Sequence, residues 1–369
     1  MLVNDILCDF RHWFALQRLV ASGYIKSHMI SDKPMHDPID FVVTWVDGND
    51  PAWQAEKAAY SPSLDKGNTD ARYREWDQFM YWFRAVEKYA PWVRYVHLVT
   101  WGHLPPWLNV DHPKLRIVKH KDYIPEKYLP TFSSIPIELN MHRIPELSEH
   151  FVYFNDDLYI TKPLRPEDFF SAGLPRHCAI AQPVHNYRYN GPFAHQQFSD
   201  MGLINSTFDI CASIETSPER WFSTHYGSKR MYNKFAYRGA YLPGMLFTHL
   251  GTPYRKSTLE QVWNTCSNEL DETCRHQFRT PVDYMHQIFS LWEIMSGSFM
   301  PVGEDYYGIK FGTLSKELKS IEAAFTSQQY RMICVNDSID VTEENFYMVK
   351  TNLDQILNHC FPEKSTFEL

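Results

Sequence analysis

The sequence predicts an α/β fold of the Rossmann-like class, in which a mostly parallel sheet is flanked by helices and carries a helical or loop-rich insertion. Two observations lead to this prediction. From residue 39 onward, short apolar runs rich in β-branched and aromatic residues alternate with stretches of helical periodicity, which is typical of a doubly wound sheet. The apolar runs also end abruptly in turn-forming or acidic residues. A length of 369 residues suits one elaborated domain or a core domain with an insertion.

The first strands and helix follow from residues 39–101. The run IDFVVTWV at 39–46 is apolar at almost every position, as expected for a strand covered on both faces, and turn formers follow it at 47–51. Apolar side chains at helical spacing predict a helix over 70–89. A second strand is predicted in VRYVHLVTW at 93–101, where Gly102 ends the run.

Two more strands complete the predicted sheet. LRIVKH at 115–120 is the third strand, a helical piece is predicted near 136–149, and FVYF at 151–154 is a fourth, central strand. In open α/β sheets, ligands bind beyond the carboxyl ends of the strands. The polar residues after the first and fourth strands are therefore expected along one edge, where a single site can use both.

The second half of the chain is predicted to hold an insertion and further helices. Residues 185–250 are aromatic, polar and loop-rich, which is typical of a cap over a substrate. One helix start is predicted at Ser257, which opens the capping-box pattern Ser-Thr-Leu-Glu. Another is predicted at Thr280, where Pro and Asp follow in the first turn, with the helix ending near Gly297.

The last predicted elements complete the division of the chain into three segments. A short apolar run at 331–338 precedes a helix from about Thr342. We therefore divide the chain into an N-terminal amphipathic helical segment (1–30), a main domain (39–338) and a C-terminal helical segment (339–369).

Charge and cysteine content exclude some classes of partner. The net charge is −8, from 36 Lys and Arg against 44 Asp and Glu, and no basic run resembles a nucleic-acid-binding stripe, so nucleic acid is not an expected partner. The seven cysteines are scattered without a Cys-x-x-Cys pair, which favours a reducing cytoplasm over a disulfide framework or a zinc site. No run approaches the roughly 18 apolar residues of a spanning helix.

The N-terminal segment leaves two interpretations open. Its apolar residues repeat at helical spacing, and Arg11, Arg18 and Lys26 flank that face. Such a helix can lie on an anionic membrane surface, which here is the inner face of the cytoplasmic membrane. Packing against the main domain, or against a second subunit of a homo-oligomer, is the commoner role of an apolar helix face and is the favoured prediction.

Paired acids follow the fourth strand. Asn155, Asp156 and Asp157 come directly after FVYF. Carboxylates at such a place can hold Mg²⁺ or Mn²⁺, which in turn neutralises a diphosphate. For an isolated Asn-Asp-Asp, a turn that satisfies local backbone groups is the commoner explanation. The buried strand shifts the balance towards a ligand site, because buried carboxylates need a counter-ion, a proton or a metal.

Basic and imidazole side chains supply candidate anion contacts. Arg279 directly precedes the helix predicted at Thr280, where backbone N–H groups and the helix dipole favour an anion. His249 follows an apolar run and can serve as a general base. The arginines near the helix after strand one can meet phosphate, although such residues are commonly solvated or paired with a neighbour such as Glu75; they are Arg72, Arg74 and Arg84.

A second Asn-Asp pair is the last group of candidate site residues. Asn336 and Asp337 follow the short apolar run at 331–335 and repeat the strand-then-acid pattern of the fourth strand. They can add ligands for the cation or cap the next turn.

Longer blocks of sequence resemble the signature regions of the Stealth proteins. These are sugar-1-phosphate transferases of microbial capsule synthesis, related to the animal N-acetylglucosamine-1-phosphotransferase that tags lysosomal enzymes. The similar blocks are IDFVVTWVDGNDP (39–51), ARYREWDQFMYWFRAVEKYAPWVRYVHLVTWG (71–102), HFVYFNDDLYI (150–160), FTHLGTPYRKSTLEQVW (247–263), FRTPVDYMHQIFSLW (278–292) and ICVNDS (333–338). Together they frame residues 39–338, which the resemblance makes the catalytic domain.

The resemblance implies a reaction and a donor site. A Rossmann-like core is expected to bind a nucleotide-diphospho-sugar, commonly a UDP-hexose or UDP-N-acetylhexosamine. It moves sugar-1-phosphate to a glycan hydroxyl, which forms a phosphodiester and releases UMP. The first block implies donor-pocket residues, and the predicted substrate contacts are Trp45, Asp47, Gly48, Asn49, Arg72, Asn155 and Asn336.

The resemblance also assigns catalytic residues. The essential aspartate of the family falls in the Asn-Asp-Asp motif, where Asp157 is favoured with Asp156 beside it, and the essential histidine and arginine fall on His249 and Arg279. The expected Mg²⁺ or Mn²⁺ ligands are Asp156, Asp157 and Asp337.

Two rival functions stay open from the sequence. A metal-dependent GT-A-like glycosyltransferase uses similar acids on a similar sheet but releases UDP. A non-catalytic glycan-binding module is favoured by the 15% aromatic content but not by acids at a strand end. The expected partners are a nucleotide-sugar donor and a glycan acceptor, with lipid linkage, peripheral membrane association and a homo-oligomer as further expectations.

Overall fold

The computed structural model describes residues 2–60, 73–185, 192–312, 314–337 and 341–369, and it gives side chains from residue 14 onward within these ranges. The strands are β1 Ile39–Thr44, β2 Val96–Thr100, β3 Leu115–Lys119, β4 His150–Asn155, β5 Leu158–Ile160, β6 Phe170–Ser171, β7 Leu174–His177, β8 Thr252–Arg255, β9 Met300–Pro301, β10 Gly308–Phe311 and β11 Met332–Val335. The helices are α1 Leu2–Ser27, α2 Pro51–Tyr60, α3 Phe79–Tyr89, α4 His120–Tyr123, α5 Ser134–Leu139, α6 Phe193–Thr207, α7 Ile210–Thr216, α8 Pro218–Trp221, α9 Arg230–Gly239, α10 Lys256–Thr265, α11 Ser267–Cys274, α12 Gln287–Met295, α13 Leu314–Ser327 and α14 Glu343–Cys360.

Five strands form the central sheet in the order β3-β2-β1-β4-β8. The first four are parallel, and β8 pairs antiparallel with β4 at one edge. Along β1, Phe41 and Val43 are buried in one apolar cluster and Val42 in another, so both faces of the sheet are covered. The predicted α/β class with a mostly parallel sheet is confirmed, as are the four predicted strands, each within a few residues.

A smaller sheet brings a distant segment to the end of β4. Only Asp156 and Asp157 separate β4 from β5, which lies in the sheet ordered β10-β11-β5. β11 pairs antiparallel with β5, with Cys334 opposite Leu158. Residues just after β11 therefore lie beside the turn between β4 and β5. A third sheet has the order β6-β7-β9.

The helix predicted over 70–89 is wrong in its first half. α3 begins at Phe79. Asp77 has a left-handed φ of 55°, and its N–H is donated to Glu75 Oε1 at 2.7 Å rather than to a helical carbonyl. A left-handed residue interrupts α-helical geometry. Residues 70–72 of the predicted helix lie outside the described residues.

The helical piece predicted near 136–149 is shorter than expected. It consists of α5 and a 3-10 turn at Met141–Arg143. The chain then runs without a helix into β4, which begins at His150.

The capping box predicted at Ser257 is also wrong. α10 begins at Lys256, so that Ser257 is already inside its first turn. The Ser257 hydroxyl and backbone N–H are both donated to the Glu149 carboxylate, which takes the side chain away from the capping role.

The helix predicted from Thr280 starts later, at Gln287. Asp283 accepts hydrogen bonds from the backbone N–H and the hydroxyl of Thr280, which closes a capped turn. The backbone N–H of Met285 is donated to Asp200 Oδ1 at 2.9 Å instead of to a carbonyl four residues earlier. A side chain from another helix thus delays the start of α12.

Four helices, α6 to α9, lie between β7 and β8, in the range predicted as an insertion. α1 packs against α8, where Gly23 approaches the carbonyl of Pro218 so closely that a Cβ atom would lie 2.3 Å from the oxygen. Within the described residues, no helix combines the length and apolar character needed to cross a membrane.

Candidate active site

The carboxyl ends of β1 and β4 are direct neighbours. Thr44 is paired with Asn155 at the last position of the two parallel strands. The loop that begins after Thr44 and carries Asp47 therefore emerges beside the Asp156-Asp157 turn, as the sequence predicted for a shared edge.

Asp157 lies where β4, β5 and β11 meet. Its Oδ2 accepts a hydrogen bond from Asn336 Nδ2 at 2.8 Å, and its backbone carbonyl accepts one from the N–H of Val335 at 2.9 Å. Its Oδ1 is buried and has no hydrogen-bond partner among the described residues. Such an unsatisfied buried oxygen costs about 1–3 kcal/mol. A substrate hydroxyl, a proton or a cation at this oxygen relieves that cost.

His249 comes from the loop before β8 and meets the end of β4. Its Nε2 lies 3.0 Å from Asn155 Nδ2. Burial lowers the pKa of His249 from 6.5 to about 4, while the charge of Asp157 acts in the opposite direction. The imidazole is therefore neutral at physiological pH and available as a proton acceptor.

A row of buried polar groups supports this histidine. Tyr153 lies two residues before Asn155 on the same face of β4, and its hydroxyl is 2.7 Å from Asn155 Oδ1 and 3.0 Å from Glu138 Oε1. Thr44 Oγ1 is 3.2 Å from the same hydroxyl. Because Tyr153 has one hydrogen to donate, its choice of acceptor fixes the orientation of the Asn155 amide, and the amide in turn fixes the tautomer of His249.

Acidic side chains gather on the other side of the turn. The pKa of Asp156 is raised well above its usual value by burial and by the negative charges of Asp157 and Glu75. Burial also raises the pKa of Glu75 to about 7, with contributions from Asp77 and Asp47. Several carboxylates that disfavour each other's ionisation form an environment that a cation stabilises.

The loop after β1 is shaped by close backbone contacts. A Cβ atom on Gly48 would lie 1.7 Å from the backbone oxygen of Tyr73, so only glycine fits this position. Asp47 Oδ1 accepts the backbone N–H of Asn49 at 2.8 Å, and the N–H of Asp47 is donated to His103 Nε2 at 2.8 Å. The Asn49 side chain is exposed at the edge of this loop.

Trp45, predicted as a donor contact, faces the core. It is 8% exposed, stacks on Phe79 with ring centroids 5.8 Å apart, and donates its indole N–H to Glu75 Oε2 at 3.2 Å. Its contact with the site is therefore indirect, through the position of the Glu75 carboxylate.

Arg279 reaches the site from a loop, not from a helix start. Its Nη2 donates to the hydroxyl of Ser134 at 2.5 Å, and it forms no ion pair with a carboxylate of the described chain. Its positive charge opposes the burial effect that raises the pKa of Tyr153, and it contributes to the lowered pKa of His286. A half-buried guanidinium without a carboxylate partner is suited to an anionic ligand.

The other predicted arginines have protein partners. Arg84 forms a bidentate pair with Glu368, so of the two roles that the sequence left open it has the paired one. Arg74 donates to the carbonyl of Val341 at 3.0 Å and lies 3.7 Å from Asp337. Arg72 lies outside the described residues.

Asp337 contacts the loop that precedes α3. Besides Arg74, it accepts the indole N–H of Trp76 at 3.2 Å. Its neighbour Asn336 contacts Asp157 instead. The pair predicted from the repeated Asn-Asp pattern is thus split, and only its first member reaches the site.

Candidate metal ligands converge at Asp157. One ligand atom each from Asp157, His249 and Cys334 lies within 4.8 Å of the other two. Asn336 uses its amide nitrogen on Asp157, which leaves its Oδ1 for a cation. Asp156 and Asp337, predicted as ligands, do not join this compact group in the part of the chain that the structure describes. Burial and the negative charge of Asp157 raise the pKa of the Cys334 thiol well above its usual value, so its sulfur is a poor metal ligand. The oxygen atoms of Asp157 and Asn336 fit a divalent cation such as Mg²⁺ or Mn²⁺.

Family models and known proteins match the same regions. The model described as Stealth protein CR1, conserved region 1, matches residues 37–65, and that of Stealth protein CR2, conserved region 2, matches residues 72–177. The capsular polysaccharide phosphotransferase WcwK of Streptococcus pneumoniae is 41% identical over 343 residues, which cover 90% of this chain and 100% of that protein. The chain belongs to the Stealth family.

Other Stealth relatives align over a similar length. The receptor polysaccharide phosphotransferase WefC of Streptococcus gordonii is 39% identical, with 91% of this chain and 100% of that protein covered. The exopolysaccharide phosphotransferase cps2G of Lactiplantibacillus plantarum is 36% identical, with 89% and 96% covered. The resemblance noted in the sequence is confirmed, and this Stealth protein is an enzyme of the phosphotransferase class.

Several residues of the Stealth site were missed by the sequence reasoning. Tyr153 could have been predicted, because residues two apart on a strand point to the same face and Asn155 was already a candidate. Cys334 lies two residues before Asn336, inside the apolar run at 331–335. No sequence pattern around Glu138 or Glu75 indicates a functional role. Only the fold brings Glu138 to Tyr153 and Glu75 near Asp156.

Proposed function

We propose that this Stealth enzyme transfers sugar-1-phosphate from a nucleotide-diphospho-sugar, a UDP-hexose or UDP-N-acetylhexosamine, to a hydroxyl of a glycan, and releases UMP. The names of the relatives support a capsular or other cell-surface polysaccharide as the acceptor. The observation that carries the proposal is the meeting of Asp157, with its unsatisfied Oδ1, and the neutral His249 at one edge of the sheet. Positioned charge and one proton acceptor are what phosphoryl transfer requires of a protein.

The proposed reaction is a direct, in-line displacement. The acceptor oxygen attacks the sugar-bearing phosphorus, and the new O–P bond forms as the bond from that phosphorus to the leaving UMP oxygen breaks. The hydroxyl proton moves to His249, with Asp157 beside it as the alternative base. No covalent enzyme intermediate is required, because the nucleophile is the acceptor itself.

The polar row selects the nitrogen of His249 that accepts the proton in this reaction. When Tyr153 donates its hydrogen to Glu138 Oε1, a half-turn of the Asn155 amide lets Nδ2 donate to Tyr153 and Oδ1 accept from Nε2 of His249. Nδ1 is then the basic nitrogen. The negative charge of a bound diphosphate raises the pKa of His249 from about 4 towards neutrality.

Arg279 and a cation supply the positive charge. Arg279 is suited to the phosphoryl oxygens, where charge develops during transfer. Mg²⁺ or Mn²⁺ held by Asp157 and Asn336, next to Asp156, would supply Lewis-acid stabilisation of the phosphoryl oxygens and the leaving group.

The identity of the released nucleotide tests this proposal. The enzyme is incubated with each UDP-sugar and a candidate glycan, the nucleotide is identified chromatographically, and the glycan is examined by ³¹P NMR. We expect UMP and a phosphodiester signal. Release of UDP without that signal would instead identify a metal-dependent glycosyltransferase and overturn the proposal.

Removing divalent cations is expected to abolish transfer. The carboxylates around Asp157 need a cation before they can accommodate a diphosphate. After chelation and dialysis, activity should fall to background, and added Mg²⁺ or Mn²⁺ should restore it. Mn²⁺ alone should also raise the thermal midpoint of the chelated protein, since a ligand that binds only the folded state stabilises it. Full activity in excess chelator would contradict the prediction.

Tyr153→Phe is expected to lower kcat about tenfold, with little change in KM, because it removes the hydroxyl that orients the Asn155 amide and through it His249. Steady-state kinetics measure the effect. Tyr226→Phe is the matched control: it also deletes a buried tyrosine hydroxyl, which contacts the N–H of Ala179, away from the site residues. Equal loss of kcat in both variants would show that the effect is merely structural.

Arg279→Ala is expected to lower kcat/KM for the donor about a hundredfold, because the variant loses a charged donor to the phosphoryl group. Arg279→Lys should recover only part of the loss, since a lysine cannot make bidentate contacts. Arg275→Ala is the control, because that exposed arginine is paired with Asp271. If Arg279→Ala leaves kcat/KM for the donor unchanged, Arg279 does not bind the donor.

A further inference from the structure

Half of the exposed large apolar side chains lie on two short segments. The described residues expose sixteen such side chains, and eight of them fall within residues 14–29, which are the second half of α1 and the two residues after it, or within α9 and the two residues after it. These eight are Phe14, Tyr24, Ile25, Met29, Met231, Tyr232, Phe235 and Tyr241. Exposed apolar side chains that cluster commonly mark an interaction surface.

The same segments carry unpaired positive charge. α9, with the sequence RMYNKFAYRG, contains Arg230, Lys234 and Arg238 and no acidic residue, although the chain as a whole has a net charge of −8. Arg18 and Lys26 lie on the solvent side of α1. Among the residues that the structure describes, none of these five cations is ion-paired with a carboxylate; Arg18, Lys26 and Arg238 are exposed, and Arg230 and Lys234 are half-buried.

The two segments form one surface. The Arg230 guanidinium lies 4.5 Å from the ring centroid of Tyr24, which joins the first turn of α9 to the last turns of α1. The inner side of α9 is fixed by the buried Asn233, whose Nδ2 donates to the carbonyls of Ala179 and Trp221. The apolar and basic side chains are therefore held outward by packed helices.

We propose that this α1–α9 surface, formed by residues 14–29 and 230–241, docks on an anionic lipid bilayer. Aromatic and aliphatic side chains interspersed with Lys and Arg fit the headgroup boundary, where the rings enter the apolar region and the cations meet lipid phosphates. A homodimer through the same surface is disfavoured, because a symmetric contact would bring the α9 cations of two copies together. The inference does not rest on the proposed function, since docking is measured without donor or acceptor.

Vesicle sedimentation tests the proposal with the full chain. We expect the protein to co-sediment with vesicles of phosphatidylcholine and phosphatidylglycerol but not with phosphatidylcholine alone, and high salt should release it. Lys234→Gln with Arg238→Gln should weaken partitioning about 25-fold, at roughly fivefold for each charge near an anionic surface. Phe235→Ser should also weaken it, by about tenfold.

Control variants separate this surface from general charge effects. Tyr347→Ser and Lys316→Gln alter an exposed aromatic and an exposed lysine on α14 and α13, and neither should change partitioning. Circular dichroism and thermal unfolding confirm that each variant is folded. Equal binding to neutral and anionic vesicles, equal loss in the control variants, or a concentration-dependent dimer that Phe235→Ser dissociates without any vesicle binding would overturn the proposal.

Discussion

Asp157→Asn is expected to lower kcat roughly a thousandfold or more, while the folded protein becomes slightly more stable. The loss of activity follows from the position of Asp157, whose buried Oδ1 has no hydrogen-bond partner among the described residues and whose carboxylate lies within 4.8 Å of His249 and Cys334. An amide at this position neither holds a cation as a carboxylate does nor accepts a proton. Single-turnover transfer with saturating donor measures the chemical step.

The gain in stability has a separate cause. Asp157 is a main source of the negative charge that raises the pKa of Asp156. Its removal relieves repulsion among buried acids and should raise the free energy of unfolding by on the order of 1 kcal/mol in metal-free buffer. Higher stability with lost activity distinguishes a functional carboxylate from a structural one.

Asp156→Asn provides the matched control for this prediction. Asp156 does not join the compact ligand group, so its loss of activity should be smaller, about tenfold. If Asp156→Asn abolishes transfer while Asp157→Asn retains most of it, the roles of the two adjacent acids are reversed.

His249→Gln is expected to lower kcat by about 10² to 10³, because the variant keeps a hydrogen bond to Asn155 but loses the proton acceptor. KM for the donor should change little. His142→Gln is the control, since His142 is likewise buried with its pKa lowered to about 3 but contacts Trp263, away from the site. Comparable losses of kcat in both variants would contradict a role for His249 as base.

The same variant predicts a change in acid stability. The pKa of His249 is 6.5 in the unfolded chain and about 4 in the folded protein, so the unfolded chain binds the extra proton between these values. The stabilising contribution is complete above the unfolded pKa and is lost as pH falls towards the folded pKa. Between about pH 6.5 and about pH 5, the parent protein should lose about 1.5 kcal/mol more than His249→Gln.

Urea unfolding at several pH values measures this difference. Other buried histidines, such as His120 and His142, contribute equally to both proteins and cancel in the comparison. Parallel pH profiles for the parent and the variant would mean that His249 is not buried as a neutral imidazole.

Much of the sheet could be predicted because its signals are local. The run from Ile39 to Thr44 is apolar at nearly every position, and that pattern depends only on coverage of both faces by helices. Paired acids after β4 were read as a site for a similar reason, since a buried strand that ends in carboxylates needs compensation. The capped turn at Thr280 also formed as its sequence indicated, with Asp283 as the acceptor.

Helix boundaries were less predictable, because distant groups compete for backbone hydrogen bonds. Asp200 takes the N–H of Met285 and delays α12, and Glu149 takes the side chain of Ser257. Neither competitor lies near its target in sequence, so no local pattern contains the information.

The amino-acid sequence alone was sufficient to predict the class of fold, the carboxylates at the end of β4 and the resemblance that points to His249 and Arg279. How these groups act together depends on tertiary contacts. Pairing of β11 with β5 brings Asn336 and Cys334 to Asp157, and the helix before β4 brings Glu138 to Tyr153. Residue type and spacing encode burial and periodicity, whereas a site is defined by distances between atoms that only long-range packing sets.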